Sequence, residues 1–175
     1  MGIHDTLTAQ LQNVLQVLEA CQVKYALAGG LAYSALVEPR ATMDIDLLIM
    51  LQETSLREIL RRLEPSVDSL IAHQAPMQFH RVKIWRVVLF KHNRELILDL
   101  LLAESPFHQN ALERAVPLDF LGISVNVVTL EDLMLLKKSA NRPQDMADVA
   151  NIYATFGDEL DQEYLEFWSN ILNLE

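Results

Sequence analysis

Hydrophobic positions recur along the chain at two spacings, one typical of helices and the other typical of strands. Leucines and valines fall on one face of a predicted helix over residues 5–20, with Asp5 or Thr6 as its cap. Further helices are predicted at 31–38, 55–64, 106–116 and, with breaks near Pro143 and Gly157, from residue 129 to the end. Short apolar runs predict strands at 23–28, 43–50, within 77–102 and at 122–129, with a hairpin turn at His92-Asn93.

The order of these elements, mixed first and helical last, favours an α/β (α+β) fold. We expect residues 1–128 to form an α/β core with an N-terminal helix. Residues 129–175 are expected to form a C-terminal helical segment packed on that core. The amphipathic stretch 158–175 fits two arrangements, because one apolar face can either cover the core or form a dimer contact.

Composition and charge exclude several classes of protein. Hydrophobic residues make up 51% of the 175 residues, which is enough to fill a core and excludes disorder as the main state. The 24 acidic and 14 basic side chains give a net charge of −10, which disfavours non-specific binding to DNA. Neither a secretory signal pattern nor a run of membrane-spanning length is present, so we expect a cytoplasmic protein with no membrane partner.

Two acidic residues stand inside the clearest strand candidate. Asp44 and Asp46 are two apart, so both carboxylates point to the same face of a strand. Two carboxylates on one face raise each other's pKa unless a cation neutralises them, and Mg²⁺ is the usual cation beside phosphates. The alternative interpretation is that one Asp is solvated at a strand edge and the other caps a loop.

A third carboxylate interrupts another apolar run. Asp99 lies within the segment LILDLLL, where a charge in a buried strand is expensive without a partner. A metal ion shared with Asp44 and Asp46 would be such a partner. An ion pair with an arginine, or a place at the strand end, would also satisfy Asp99, and for this residue alone that alternative is favoured.

Gly29 and Gly30 separate a predicted strand from a predicted helix. Glycines at this point let backbone N–H groups approach a phosphate closely at a helix N-terminus. The pair alone is equally compatible with an ordinary tight turn. It forms neither a P-loop nor a dinucleotide-binding fingerprint, because the residues that complete those motifs are missing.

The combination of these features is more specific than its parts. The stretch YALAGGLAYSALVEPRATMDIDLLI (residues 25–49) resembles the DNA polymerase β-type nucleotidyltransferase superfamily, in which a glycine pair is followed, after a spacer of this length, by Asp-x-Asp. The chain looks especially similar to the small prokaryotic branch that includes nucleotidyltransferases of abortive-infection toxin–antitoxin pairs. That similarity extends to EDLMLLKKSANRPQDMADV (131–149) and covers roughly residues 23–150.

The resemblance implies a mixed sheet flanked by helices and an enzyme that moves a nucleoside monophosphate from an NTP to an acceptor hydroxyl. It implies that Asp44, Asp46 and Asp99 hold Mg²⁺ or Mn²⁺ and that Asp99 accepts the hydroxyl proton. The acceptor is left open among tRNA, a protein and a small molecule. An antitoxin or cognate partner protein is a further expected partner.

The resemblance also assigns residues to nucleotide binding, which are Gly29, Gly30, Arg40, Thr42, Lys137, Arg142 and Asp145. Several of these have a structural alternative. Arg40 suits an ion pair with Asp44 or Asp46, and Arg142 and Asp145 suit the first turn of a helix that starts at Pro143. Of the neighbouring lysines, the resemblance favours Lys137 as the phosphate contact and leaves Lys138 solvated.

One stretch of this acidic chain is rich in basic residues. If a polynucleotide such as tRNA is bound, its expected contacts are Arg81, Lys83, Arg86, Lys91 and Arg94. A solvated strand face is the favoured alternative. For the whole chain, two other functions compete with an active transferase: a catalytically inactive nucleotide-binding or toxin–antitoxin partner protein, and a structural domain whose aspartates only pair with Arg40 and Arg142.

Overall fold

The computed structural model describes residues 3–51 and 56–174. The helices are α1 (Ile3–Ala20), α2 (Gly29–Leu36), α3 (Leu56–Leu63), α4 (Pro106–Arg114), α5 (Leu130–Ala140), α6 (Pro143–Phe156) and α7 (Gln162–Leu172), with a 3₁₀ turn at Glu64–Ser66. The strands are β1 (Lys24–Leu27), β2 (Asp44–Met50), β3 (Ser69–Ala72), β4 (Met77–Phe79), β5 (Val82–Lys91), β6 (Arg94–Leu102), β7 (Val116–Phe120) and β8 (Ile123–Val127).

The strands form a single mixed sheet, in the order β3-β5-β6-β2-β1-β8-β7, and β4 adds to β5. The pairs β2–β6 and β1–β8 are parallel, and the other pairs are antiparallel. A mixed sheet flanked by helices confirms the predicted fold class.

The centre of the sheet is β2, which is covered on both faces. Its residues Ile45, Leu47, Leu48 and Ile49 are all fully buried. A continuous apolar run is what a strand buried on both faces requires, because both sets of alternating side chains meet the core. Asp44 and Asp46 therefore interrupt β2, the central strand of the sheet, at its N-terminal end.

The hairpin between β5 and β6 turns at the predicted position. His92 and Asn93 both have positive φ, at 51° and 58°, as the two central residues of a type I′ turn require. This turn fixes the register of the two strands, so that Lys91 lies opposite Arg94 and each residue further from the turn has a defined partner.

Two edge strands, β3 and β7, were not predicted. Both are short and at most half-buried, and β7 contains Pro117, which is tolerated only where a strand has a free edge. The predicted cap of the first helix is wrong, because α1 already begins at Ile3 and thus includes Asp5 and Thr6.

The C-terminal helices pack on the sheet region and share its core. Leu133, Ile152 and Trp168 belong to the same buried cluster as the strand residues. Helix α7 uses one face for this packing, while Phe167 and Ile171 on its other side are 57% and 51% exposed. The division of the chain after residue 128 stays a prediction. Within the described ranges, no helix has the length and apolar character needed to span a bilayer.

Candidate functional site

The register of three neighbouring strands lines up the predicted acidic residues. On β6, Asp99 lies directly opposite Asp46 of β2, and on its other side it lies opposite Arg86 of β5. Residues that are paired across neighbouring strands point to the same face of the sheet. Asp44 shares this face because it stands two residues before Asp46. The sheet thus carries one transverse row, Arg86–Asp99–Asp46, with Asp44 beside it.

The Arg86 guanidinium forms a bidentate ion pair with Asp99. Its Nε lies 2.8 Å from Oδ1 and its Nη2 lies 2.7 Å from Oδ2, which is the fork geometry of a strong charge-assisted contact. The side chain of Asp99 is 7% exposed, whereas that of Arg86 is 40% exposed. The arginine alternative considered for Asp99 is therefore realised.

The basic stretch is consequently less available to a polynucleotide than the sequence suggests. Arg86 is turned toward the carboxylates, Lys83 pairs with Glu104 at 2.8 Å, and Lys91 lies 3.9 Å from Asp68. Ion pairs therefore engage three of the five basic residues of this stretch, namely Lys83, Arg86 and Lys91. Whether Arg86 contacts a polynucleotide stays a prediction, since its Nε and Nη2 bond Asp99 while its side chain is 40% exposed.

Asp44 and Asp46 take part in none of the ion pairs found among the described residues. Burial, followed by the charges of Asp99 and Asp44, raises the pKa of Asp46 to about 6, although a backbone N–H of Gly30 partly offsets the shift. Burial and Asp99 also raise the pKa of Asp44, against the opposing charges of Arg86 and Arg142. Neither carboxylate is therefore bonded to a cationic side chain in the described part of the chain. A hard cation that prefers oxygen ligands would supply the missing positive charge.

Of the residues that the structure describes, no three or more His, Cys, Asp or Glu side chains converge in a group that could hold a metal ion. The carboxylates share a face, but Asp99 directs both of its oxygens to Arg86. The donor set that remains for a divalent cation is the pair Asp44 and Asp46. Two carboxylates, with water and phosphate oxygens completing the shell, are a usual protein contribution to Mg²⁺ binding, so the residues fit the ion.

Gly29 makes the close packing of Asp46 possible. Its φ of +58° lies in the left-handed region, and a Cβ at this position would stand 2.0 Å from Oδ2 of Asp46. Gly30 is less restricted, since its Cβ would approach Oγ1 of Thr42 at 3.1 Å. The glycines thus bring the start of α2 against the carboxylate, and contact with a phosphate stays a prediction.

Arg40 and Thr42 lie on the segment that leads into β2. The predicted pairing of Arg40 with Asp44 or Asp46 is wrong, because Nη1 of Arg40 contacts both carboxylate oxygens of Asp148, at 2.6 and 2.8 Å. Thr42 Oγ1 accepts a long hydrogen bond, 3.4 Å, from the backbone N–H of Asp44. Arg40 therefore connects the segment before β2 to α6.

Lys137 is the centre of a buried charge network between α5 and α6. Its side chain is 5% exposed, and its Nζ lies 2.6 Å from Asp148 and 3.6 Å from Asp145. Arg142 holds Asp145 from the other side, with Nε 2.6 Å from Oδ2. The charges alternate through this chain of contacts from Arg40 to Arg142. The two aspartates share a helix face as predicted, and both serve to neutralise Lys137.

A cavity of about 340 Å³ opens above the carboxylate row. The charged part of its lining is formed by Asp46, Asp99, Arg81, Arg86, Lys137, Asp145 and Arg142, and is called the charged wall. The apolar part of the lining is formed by Met77, Phe79, Val82, Ile84, Leu101, Leu133 and Leu136, and is called the apolar wall. Six of the ten predicted site residues line this cavity, while four are not among its lining residues, namely Gly30, Arg40, Thr42 and Asp44.

His108 lines the same cavity and was not predicted as a site residue. It is buried, its Nδ1 lies 2.9 Å from Oγ of Ser105, and burial lowers its pKa to about 4. The imidazole is therefore neutral near pH 7. No paired metal-ligand spacing marks this histidine, and the sequence signal nearest to it is Ser105 as the cap of α4.

Residues 5–169 match a family model described as "nucleotidyltransferase of unknown function (DUF6036)". The chain belongs to this family. The match covers nearly the whole sequence and confirms the resemblance to nucleotidyltransferases that residues 25–49 carry. A search of the curated proteins finds no match.

Solved structures of other nucleotidyltransferase-like proteins share the fold of this family member. ANT(2″)-Ia in complex with adenylyl-2″-tobramycin matches with a TM-score of 0.61 and 14% identity, over 93% of this chain and 94% of that one. The lincosamide antibiotic adenylyltransferase LnuA, lincomycin-bound, gives 0.54 and 17%, over 82% and 94%. An antigenic nucleotidyltransferase-like protein from Paracoccidioides brasiliensis gives 0.51 and 19%, over 94% and 87%.

Proposed function

We propose that the protein transfers a nucleoside monophosphate from an NTP to an acceptor hydroxyl and that it needs Mg²⁺ or Mn²⁺. One observation carries this proposal: among the described residues Asp44 and Asp46 are in no ion pair, they share one face of the sheet beside the glycine turn, and Asp46 lines the cavity. Leaving two such groups uncompensated costs stability that a purely structural site would not sacrifice.

The residues of the charged wall have distinct tasks in this proposal. Asp44 and Asp46 would hold a divalent ion, which when bound would supply positive charge to the phosphate oxygens during in-line displacement. Arg142 and Lys137 line the cavity as cations and would orient the triphosphate, although each shares its charge with Asp145. Asp99 would accept the proton of the attacking hydroxyl through an oxygen that also faces Arg86.

The acceptor class is open among small molecules, tRNA and protein hydroxyls. The apolar wall around Phe79 and Leu136 favours an acceptor or a base that presents an apolar surface. Two structural neighbours carry antibiotics, which supports including small hydroxyl compounds. The toxin–antitoxin role and the antitoxin partner are supported by the sequence resemblance of residues 131–149, and a cytoplasmic location stays part of this proposal.

The test is transfer of label from each of the four α-³²P NTPs, with Mg²⁺ or Mn²⁺, to separate pools of tRNA, cell protein and small metabolites. We expect labelling by the wild type and loss of it in Asp44→Ala and Asp46→Asn. Asp119→Ala is the matched control, since Asp119 is an exposed aspartate on the edge strand β7. Labelling that survives Asp44→Ala would contradict the proposal, and so would an absence of product with every NTP and every pool.

A second candidate is a nucleotide-binding or partner protein without turnover. It is favoured by the bidentate pair of Asp99 with Arg86, which occupies the third carboxylate. This candidate predicts that calorimetry detects NTP binding while no label is transferred, and that a partner co-purifies from the native source.

A further inference from the structure

The contact between Arg86 and Asp99 is built into the strand register. Arg86 and Asp99 are direct partners in the β5–β6 ladder, and the type I′ turn at His92-Asn93 fixes that pairing. Both guanidinium donors meet both carboxylate oxygens at 2.7–2.8 Å. Because the backbone holds both Cα positions, the hairpin keeps the two side chains within bonding reach of each other.

The charged side chains on this face of the sheet leave an excess of negative charge. Three carboxylates carry three negative charges, and Arg86 is the cation that bonds to one of them. Arg142 acts on the same group from further away, but its donors are engaged by Asp145. The carboxylates that remain uncompensated, Asp44 and Asp46, carry two negative charges, which one divalent ion neutralises.

A second divalent ion at Asp99 would have to displace Arg86. Asp99 is almost completely covered, and both of its oxygens already accept hydrogen bonds. An ion bound to Asp99 would also lie next to the positively charged guanidinium of Arg86. Repulsion between two such neighbouring cations weakens binding of the ion by about tenfold or more. The residues therefore accommodate one divalent ion better than two.

We propose that Arg86 acts as the permanent cation of Asp99, so that the site takes a single divalent ion, on Asp44 and Asp46. This inference rests on the metal-dependent transfer proposed above. Arg86 lines the cavity and is 40% exposed, so its charge also faces any anionic group that enters. Its single positive charge neutralises Asp99, which a second divalent ion would otherwise have to do.

The experiment is titration of the full-length protein with Mn²⁺ alone, with bound ion counted by electron paramagnetic resonance. We expect one Mn²⁺ in the wild type and none in Asp46→Asn. In Arg86→Met, the freed Asp99 should give a second site at least about ten times tighter than any second binding by the wild type. Arg86→Lys keeps the charge and should stay at one ion. Lys83→Met, on the same strand, is the matched control and should also bind one.

A variant that removes both partners protects the test from misfolding, because no buried charge is left alone. The double variant Arg86→Met/Asp99→Asn should bind one Mn²⁺ within about threefold of the wild-type affinity. Two ions in the wild type, reduced to one in the double variant, would overturn the role of Arg86 while leaving the proposed transfer intact. A wild type that binds no Mn²⁺ would instead contradict the metal dependence of the proposed function. Circular dichroism of each variant confirms that the counted protein is folded.

Discussion

Replacing Gly29 by alanine should destabilise the protein through Asp46. The added methyl carbon would stand 2.0 Å from Oδ2, 2.5 Å from Cγ and 2.7 Å from Cβ of Asp46, so the carboxylate has to move. Overpacking of this kind costs about 1–3 kcal/mol. The φ of +58° adds about 1–2 kcal/mol for an L residue. We therefore expect Gly29→Ala to lower the free energy of unfolding by about 2–5 kcal/mol.

Gly122 offers a matched control for the backbone contribution. It has a φ of +75°, in the turn between β7 and β8, and a Cβ there would meet nothing within 4 Å. Gly122→Ala should therefore cost only the conformational part, about 1–2 kcal/mol.

Urea unfolding of both variants, followed by far-UV circular dichroism, measures the difference. Equal m-values would show that the comparison concerns stability alone. If the two variants lose the same free energy, within about 0.5 kcal/mol, the close approach of Gly29 to Asp46 does not carry the energy assigned to it.

Three further variants probe the surroundings of the site. Burial holds the pKa of His108 at about 4 in the folded protein, below its ordinary value of 6.5, so its stability contribution is fully present above pH 6.5 and is lost as the pH falls from 6.5 to 4. We expect the wild type to lose up to about 3 kcal/mol more than His108→Gln between about pH 7 and pH 4, and equal losses in urea unfolding would contradict this. Lys137→Met should cost about 1–3 kcal/mol, because buried Asp145 and Asp148 each lose one of two cationic partners while Arg142 and Arg40 remain. Lys138→Met should stay within about 0.5 kcal/mol; similar thermal midpoints for both would refute the difference. Tyr164→Phe removes the hydroxyl that donates to buried Asp132 and should cost about 1–3 kcal/mol in the same unfolding assay, so a neutral result would show that Asp132 finds another donor.

The central strands could be predicted because their signals are local. The apolar runs of β1, β2 and β6 are buried on both faces. The residues His92 and Asn93 between β5 and β6 predict the hairpin turn. The edge strands β3 and β7 lacked such signals, because a half-exposed strand needs neither a continuous apolar run nor strict alternation.

Partners that are distant in sequence could not be predicted. Arg40 and Asp148 are 108 residues apart, and no spacing rule joins the segment before β2 to α6. The pairing of Arg86 with Asp99 was within reach of the sequence, however. A two-residue turn at His92-Asn93 places residues of equal distance from the turn opposite each other, and Arg86 is as far before the turn as Asp99 is after it.

Because the chain is synthesised from its N-terminus, Arg40 leaves the ribosome long before its ion-pair partner Asp148 on α6. The strands that carry Asp44, Asp46 and Asp99 leave the ribosome before α5 and α6, which bring Lys137 and Arg142. A chain released prematurely after β8 would therefore display an acidic cleft without its cationic wall and an apolar surface that the late helices normally cover. Exposed apolar surface of this kind is what makes incomplete chains prone to aggregation, and the cavity would be complete only once the last helices had docked.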